Sequence, residues 1–217
     1  MENENDFLRV ARHNLKGPVG LIKGYLSFWQ NDDYKKFPPE KQKELVNKAM
    51  ALAEKLNDLI NDVFLTIALD DKVFKASPEP IQLKELIETI YNALKPSYEK
   101  KGLYFKIETK DDLPVIQSDK RYLTMVFQKI LDNAGKYTDT GGVTVSLQKE
   151  NDYVIIEIKD TGKGFTEEEQ KLLFAKFFHN SLSLYNVKGV VDALNGKISV
   201  ESAGQNQGSK FIIKLSL

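Results

Sequence analysis

Cysteine is missing from all 217 residues, which excludes disulfides, thiol nucleophiles and thiolate metal sites. Its absence suits a reducing compartment. Net charge is missing too: 31 Lys and Arg against 31 Asp and Glu leave no field to gather nucleic acid or anionic lipid. No apolar run approaches the roughly 20 residues of a membrane span. The opening "MENENDFLRV" is too acidic and polar for a signal peptide. Histidine is scarce, with two copies, His13 and His179. No internal repeat or low-complexity tract appears. These absences imply a cytoplasmic chain without a membrane segment, or the intracellular part of something larger, with no nucleic-acid partner. What is present is ordinary for a core-forming protein: 41% hydrophobic and 29% charged residues.

The first 70 or so residues differ in kind from the rest. From Phe7 to Trp29, the residues Phe7, Val10, Ala11, Pro18, Leu21, Ile22, Tyr25, Phe28 and Trp29 share one face at about 100° per residue. "NDDYKKFPPE" breaks that pattern, and its prolines suit the start of a new helix. From Glu40 onward, Leu45, Ala49, Leu52, Leu56, Leu59, Val63 and Ile67 are spaced 4, 3, 4, 3, 4 and 4, close to a coiled-coil seam. Two long helices joined by a short connection predict an antiparallel hairpin. A hairpin alone cannot cover both stripes, so a homodimeric four-helix bundle is the natural solution.

After "KASPEP" (Lys75 to Pro80) helices and strands mix. Helices are predicted at about Leu83–Lys101, Lys120–Lys136 and Leu182–Leu194, with a shorter one from Glu167. "LYFKIE", "VIQ", "VTVSL" and "YVIIEI" read as strands, and "KISVES" with "KFIIKLSL" as a closing hairpin around "GQNQG". The fold class is α+β: a helical hairpin over residues 1–76, then an α/β sandwich over 77–217 with a mostly antiparallel sheet covered by helices.

Two strings carry candidate chemistry. "DNAGKYT", Asp132 to Thr138, ends a predicted helix; taken alone, it reads as a C-terminus with a basic residue facing the dipole. "IKDTGKGF", Ile158 to Phe165, sets an acid at the end of an apolar strand before two glycines. Glycines let the backbone approach a planar or anionic ligand, and Asp160 could accept from an exocyclic amine; a tight turn is the plainer reading.

Taken together and in order, these strings resemble the ATP site of the histidine-kinase-like ATPase family. "DDLPVIQSDKRYLTMVFQKILDNAGKYTDTGG" is similar to its N box, "LLFAKFF" to its phenylalanine motif and "VVDALNGKISVESAGQNQGSKFIIKLSL" to its last helix and hairpin. "FLRVARHNLKGPVGLIKGYLSF" resembles the H box of sensor histidine kinases. The resemblance implies a Bergerat-type sandwich that binds ATP through Asn133, Lys136, Tyr137, Asp160, Gly162, Gly164, Ser181, Leu182 and Ser183, with Asn133 as a Mg2+ ligand. It implies that His13, beside Asn14, attacks the γ-phosphorus and later hands the phosphoryl group to the aspartate of a response-regulator receiver domain. An imidazole is largely neutral at pH 7 and so is a competent nucleophile. His13 lies about 130° from the centre of the apolar stripe, on the outside of the bundle. Pro18, just over a turn later, removes a backbone donor and predicts a local bend. His179 matches no catalytic position and reads as structural.

Several positions depart from the family pattern. Asn14 stands where many members carry an acid, so it can accept a hydrogen bond but adds no charge. Gly17 offers no side chain to orient a water for dephosphorylating a partner. Lys129 replaces an N-box asparagine, and Met125 a polar residue. In "HNSLSLY", Ser181 and Ser183 stand where glycines normally cradle the triphosphate, and a longer mobile lid is missing. The expectation is preserved adenine recognition with lost phosphate closure and impaired autophosphorylation. The alternative is a degenerate kinase acting as a histidine phosphotransferase or dimeric scaffold.

Overall fold

The computed structural model describes residues 2–31, 33–110 and 113–217. They form two compact units, 1–68 and 69–217. The expected division at residue 76 falls in the connector 71–78, between a helix ending at Asp70 and a strand starting at Glu79.

The first unit consists of α1 (Glu2–Gln30) and, apart from its last two residues, α2 (Pro39–Asp70). Pro39 opens α2, where its missing amide costs nothing. Across the connection, Trp29 stacks on Tyr34 at 5.9 Å, Phe28 meets Phe37 edge-on at 6.1 Å, and the Gln42 side-chain amide donates to the Phe37 carbonyl. Pro18 does not interrupt α1, which runs on to Gln30. Its ring nonetheless offers no amide to the Asn14 carbonyl one turn back.

Burial within this unit is thin. Ala11 and Leu45 are buried, as are Asp62 and Thr66, whose hydroxyl donates back to the Asp62 carbonyl at 2.8 Å. Leu21 and Ile67, both expected on covered stripes, are 57% and 40% exposed. On α2 a second apolar row, Val46, Met50, Ile60 and Phe64, also faces solvent, Phe64 at 66%. One pair of helices has too little surface to cover stripes this wide.

The second unit is built on a five-stranded sheet ordered β2-β4-β5-β7-β6: β2 (Tyr104–Thr109), β4 (Gly142–Glu150), β5 (Tyr153–Asp160), β6 (Lys197–Glu201) and β7 (Lys210–Ser216). Only β2–β4 is parallel, so the sheet is mostly antiparallel as expected. Alternation sets the core face: Val143, Val145, Leu147, Val154, Ile156, Ile158, Phe211, Ile213 and Leu215 are buried. "VIQ" departs from the expectation of one sheet. Ile116–Ser118 (β3) pairs with the unexpected β1 (Glu79–Ile81) in a separate two-stranded ribbon.

Helices α3 (Leu83–Lys100), α4 (Lys120–Tyr137) and α6 (Ser183–Ala193) complete the core through Leu86, Ile87, Leu123, Phe127, Ile130, Val187 and Val190. Asp119 caps α4 by accepting from the Tyr122 amide at 3.1 Å, and its other oxygen accepts from the Ser77 amide. Short α5 (Glu167–Leu172) starts on a Thr166–Glu169 capping box. Tyr98 of α3 lies against α4, its hydroxyl donating to the Leu131 carbonyl at 2.6 Å. Gly135 makes that approach possible, since a Cβ there would sit 2.6 Å from the Tyr98 ring.

Candidate functional site

Asp160 is the last residue of β5, the central strand, and is buried. Its Oδ1 accepts from the Gly162 amide at 2.7 Å and the Ser209 amide at 3.3 Å, and its Oδ2 from the Ser209 hydroxyl. The turn that follows is pinned along its length. Thr161 exchanges bonds with Gly142 and donates its hydroxyl to the Thr140 carbonyl at 2.8 Å. The Lys163 amide donates to the Tyr137 carbonyl at 3.1 Å, and Gly208 donates to the Gly162 carbonyl at 2.9 Å. A Cβ on Gly162 would lie 2.6 Å from the Tyr137 carbonyl and 2.9 Å from Asp160 Oδ1, so only glycine fits. Gly164 has φ +62, a conformation other residues rarely adopt.

The end of α4 meets this turn through Tyr137 and Thr138. Asn133 is half-buried, while Lys136 and Tyr137 are exposed, the ammonium lying 5.0 Å from the Tyr137 ring centre. Thr138 is fully buried, and its hydroxyl is the one buried side-chain polar atom among the described residues without a hydrogen-bond partner. It flanks the site where a Cβ on Gly162 would sit, at 2.8 Å, leaving an unspent donor beside the Asp160 turn. Thr138 and Ser209 lie in strings the sequence singles out, but neither is given a role there. Ser209 could have been found by extending the β5–β7 register, in which Lys159 faces Lys210, by one residue.

Residues 173–182 join α5 to α6. Phe177 and His179 both adopt left-handed backbone, φ 67 and 48, without being glycine. His179 is a surface residue, stacked on Phe178 at 4.1 Å with its Nε2 3.9 Å from Glu169. The Leu182 side chain is buried, so only its backbone can meet a ligand. Ser183 begins α6, and its amide donates to the Ser181 hydroxyl at 3.1 Å. A helix-start amide that a phosphate would otherwise engage is therefore satisfied internally.

In the first unit, His13 is exposed on α1, with Nδ1 at 3.5 Å from Asn14 Oδ1, the outer limit of a hydrogen bond. Gly17 is exposed, and a Cβ there would meet nothing within 4 Å. Among the described residues, no cluster of three or more His, Cys, Asp or Glu could hold a metal, and no helix is long and apolar enough to cross a membrane.

Two family models divide the chain between them. Residues 3–71 match the His Kinase A (phospho-acceptor) domain, and residues 118–217 the histidine kinase-, DNA gyrase B- and HSP90-like ATPase. Together they make up a histidine kinase transmitter core. The chain is 27% identical to the sensor histidine kinase RcsC of Escherichia coli K12 over all of its length, which is 24% of that relative. It thus spans from about a quarter to less than half of the length of these curated relatives. Among solved structures it resembles the histidine kinase AdeS of Acinetobacter baumannii, with a TM-score of 0.78, 24% identity and 94% and 97% of the two chains covered. It also resembles the histidine kinase ThkA, solved in complex with response regulator protein TrrA, with a TM-score of 0.70, 21% identity and 94% and 59% covered.

Proposed function

We propose that this kinase core uses ATP to phosphorylate His13 and passes the phosphoryl group to an aspartate of a response-regulator receiver domain, with the ATP step slowed. The observation that carries the reading is the exposed imidazole of His13, its Nδ1 beside the Asn14 oxygen. An Nδ1–H held there leaves the Nε2 lone pair as nucleophile. Nε2 attack forms an N–P bond to the γ-phosphorus, the bond from that phosphorus to the bridging oxygen breaks, and ADP leaves. Asn14 orients the ring proton but cannot take it up, so the proton goes to water. The receiver carboxylate then attacks the phosphoryl group and frees the imidazole.

On the nucleotide side, Asp160 is positioned as acceptor for the adenine amine, Gly162 and Gly164 allow the base to approach, and Tyr137 and Lys136 flank it. The backbone around Ser181, Leu182 and Ser183 would face the phosphates. The Asn133 carboxamide oxygen is a hard donor of the kind Mg2+ takes, and since no group of three or more His, Cys, Asp or Glu among the described residues could hold a metal, its other ligands would be phosphate oxygens and water. When bound, Mg2+ neutralises charge on the phosphates. The exposed row Val46, Met50, Ile60 and Phe64 suits a second copy of the hairpin, making a homodimeric bundle. Gly17 supplies no group to orient a hydrolytic water, so partner dephosphorylation is not part of this reading. ATP supply places the core in the cytoplasm.

The Ser181–Ser183 bond favours a second reading, a phosphotransferase or scaffold that no longer loads its own histidine. Incubation with γ-labelled ATP separates them. Acid-labile, alkali-stable label that disappears in His13→Gln supports self-loading. Label on His13 only from a phosphorylated receiver supports phosphotransfer, and label from neither source rejects self-loading and phosphotransfer and leaves the scaffold.

A further inference from the structure

Lys101 sits between α3 and β2, on a backbone that has little freedom. The Gly102 amide donates to the Glu99 carbonyl and the Leu103 amide to the Tyr98 carbonyl, both at 3.0 Å, with Gly102 at φ +66. That is a Schellman turn, locked further by the burial of Leu103. From this fixed base the Lys101 ammonium reaches across to the C-terminus of α4. It donates to the carbonyls of Gly135 at 2.9 Å, Lys136 at 2.8 Å and Thr138 at 3.0 Å. Asp139 lies 3.8 Å away on the same ammonium and 4.0 Å from Lys163.

An ammonium has three N–H donors, and here each finds its own carbonyl at the negative end of a helix. The carbonyls gripped belong to the segment that carries the Asp160 turn. Tyr137, between Lys136 and Thr138, accepts the Lys163 amide, and its carbonyl would touch any Cβ at Gly162. The path therefore runs from the Schellman turn, through the Lys101 ammonium, to residues 135–138 and on to Gly162 and Lys163.

We propose that Lys101 is a positioning residue for the nucleotide site, setting the wall against which the Asp160–Gly164 turn is held. The proposal rests on the nucleotide reading of that turn. It contacts no ligand itself; it acts through the α4 C-terminus. Three convergent carbonyls with a nearby carboxylate also form a cation site in which the ammonium is a covalently tethered occupant. A small free cation should then replace it in part when the tether is cut.

Lys101→Met keeps the aliphatic stem and removes the ammonium. Without nucleotide, amide hydrogen exchange at Thr161 and Lys163 is expected to be about tenfold faster than in the unmodified chain. Core amides of Ile156 and Ile213 stay protected. In Lys101→Ala, potassium or ammonium should slow exchange at Thr161 and Lys163 again, whereas tetramethylammonium at equal ionic strength should not. Calorimetric titration with ATP is expected to give about tenfold weaker binding in Lys101→Met. Unchanged exchange at Thr161 and Lys163 would overturn the proposal. So would loss of protection across the whole sheet, which marks a general fold defect, or identical action of the three cations. If the unmodified chain binds no nucleotide, the nucleotide reading fails, and the exchange comparison still decides whether Lys101 positions the turn.

Discussion

The two ends of the candidate nucleotide site are built to different standards. At the Asp160 end, the carboxylate accepts three bonds, and the turn after it is tied to Tyr137, Thr140, Gly142 and Gly208. Glycine stands wherever the packing demands it. At the α6 end, two serines occupy the helix start, one hydroxyl satisfies an amide within the chain, and two non-glycine residues hold left-handed backbone in a short connection. On the proposed nucleotide reading, one end is preorganised for a flat polar ligand. The other spends on itself the Ser183 amide, which on that reading a triphosphate would use. The difference teaches that the two ends can be ordered independently within one sandwich, because they hang on different segments; on the proposed reading these would serve base and phosphate separately.

The contrast can be broken most forcefully at Asp160. Asp160→Asn turns an amide group toward donors that now meet an acceptor, and should weaken nucleotide binding by about 100-fold in a fluorescence titration. Gly162→Ala comes next. Its methyl has no room beside the Tyr137 carbonyl, so it should cost about 2 kcal/mol in urea unfolding and reduce binding as well. Ser181→Gly with Ser183→Gly acts at the other end. Freeing the amide at position 183 should raise ATP affinity about fivefold while leaving adenosine unaffected, as read by calorimetry. No gain for ATP would show that the serines are not what limits that end.

The smallest effect concerns the brace beneath the site. Tyr98→Phe should cost about 1 kcal/mol near neutral pH, since it leaves the Leu131 carbonyl without its buried donor. Burial pushes the Tyr98 phenol up from its ordinary value, with the charges of Asp132 and Asp160 adding to the rise. A folded pKa above the unfolded one stabilises the fold fully below pH about 10 and less as pH climbs beyond it. The gap between the unmodified chain and Tyr98→Phe should therefore narrow when urea unfolding is repeated above pH 10.

The helices and central strands were legible because their apolar spacing is regular. α3 and α4 fall within a residue of expectation, and β4 and β5 alternate cleanly. β1 was not legible: Glu79–Ile81 is three residues long, contains a proline and has no pattern to read. The covered face of α1 was overestimated at Leu21, because periodicity reports an apolar stripe and not how much of it one partner helix can reach. In the site, Asp160, Gly162 and Gly164 announce themselves by adjacency. Ser209 lies 49 residues from Asp160 and Lys101 is 34 from Gly135, so nothing in the local sequence ties them together. Such contacts come only from the strand register and the turn after α3.

The most direct test of the account is a calorimetric comparison of adenosine, ADP and ATP, with magnesium, on the unmodified chain. If the base end is intact and the phosphate end spent, the three ligands should bind within about tenfold of one another. ATP binding more than about 100-fold tighter than adenosine would show a working triphosphate cradle at α6 and contradict the account.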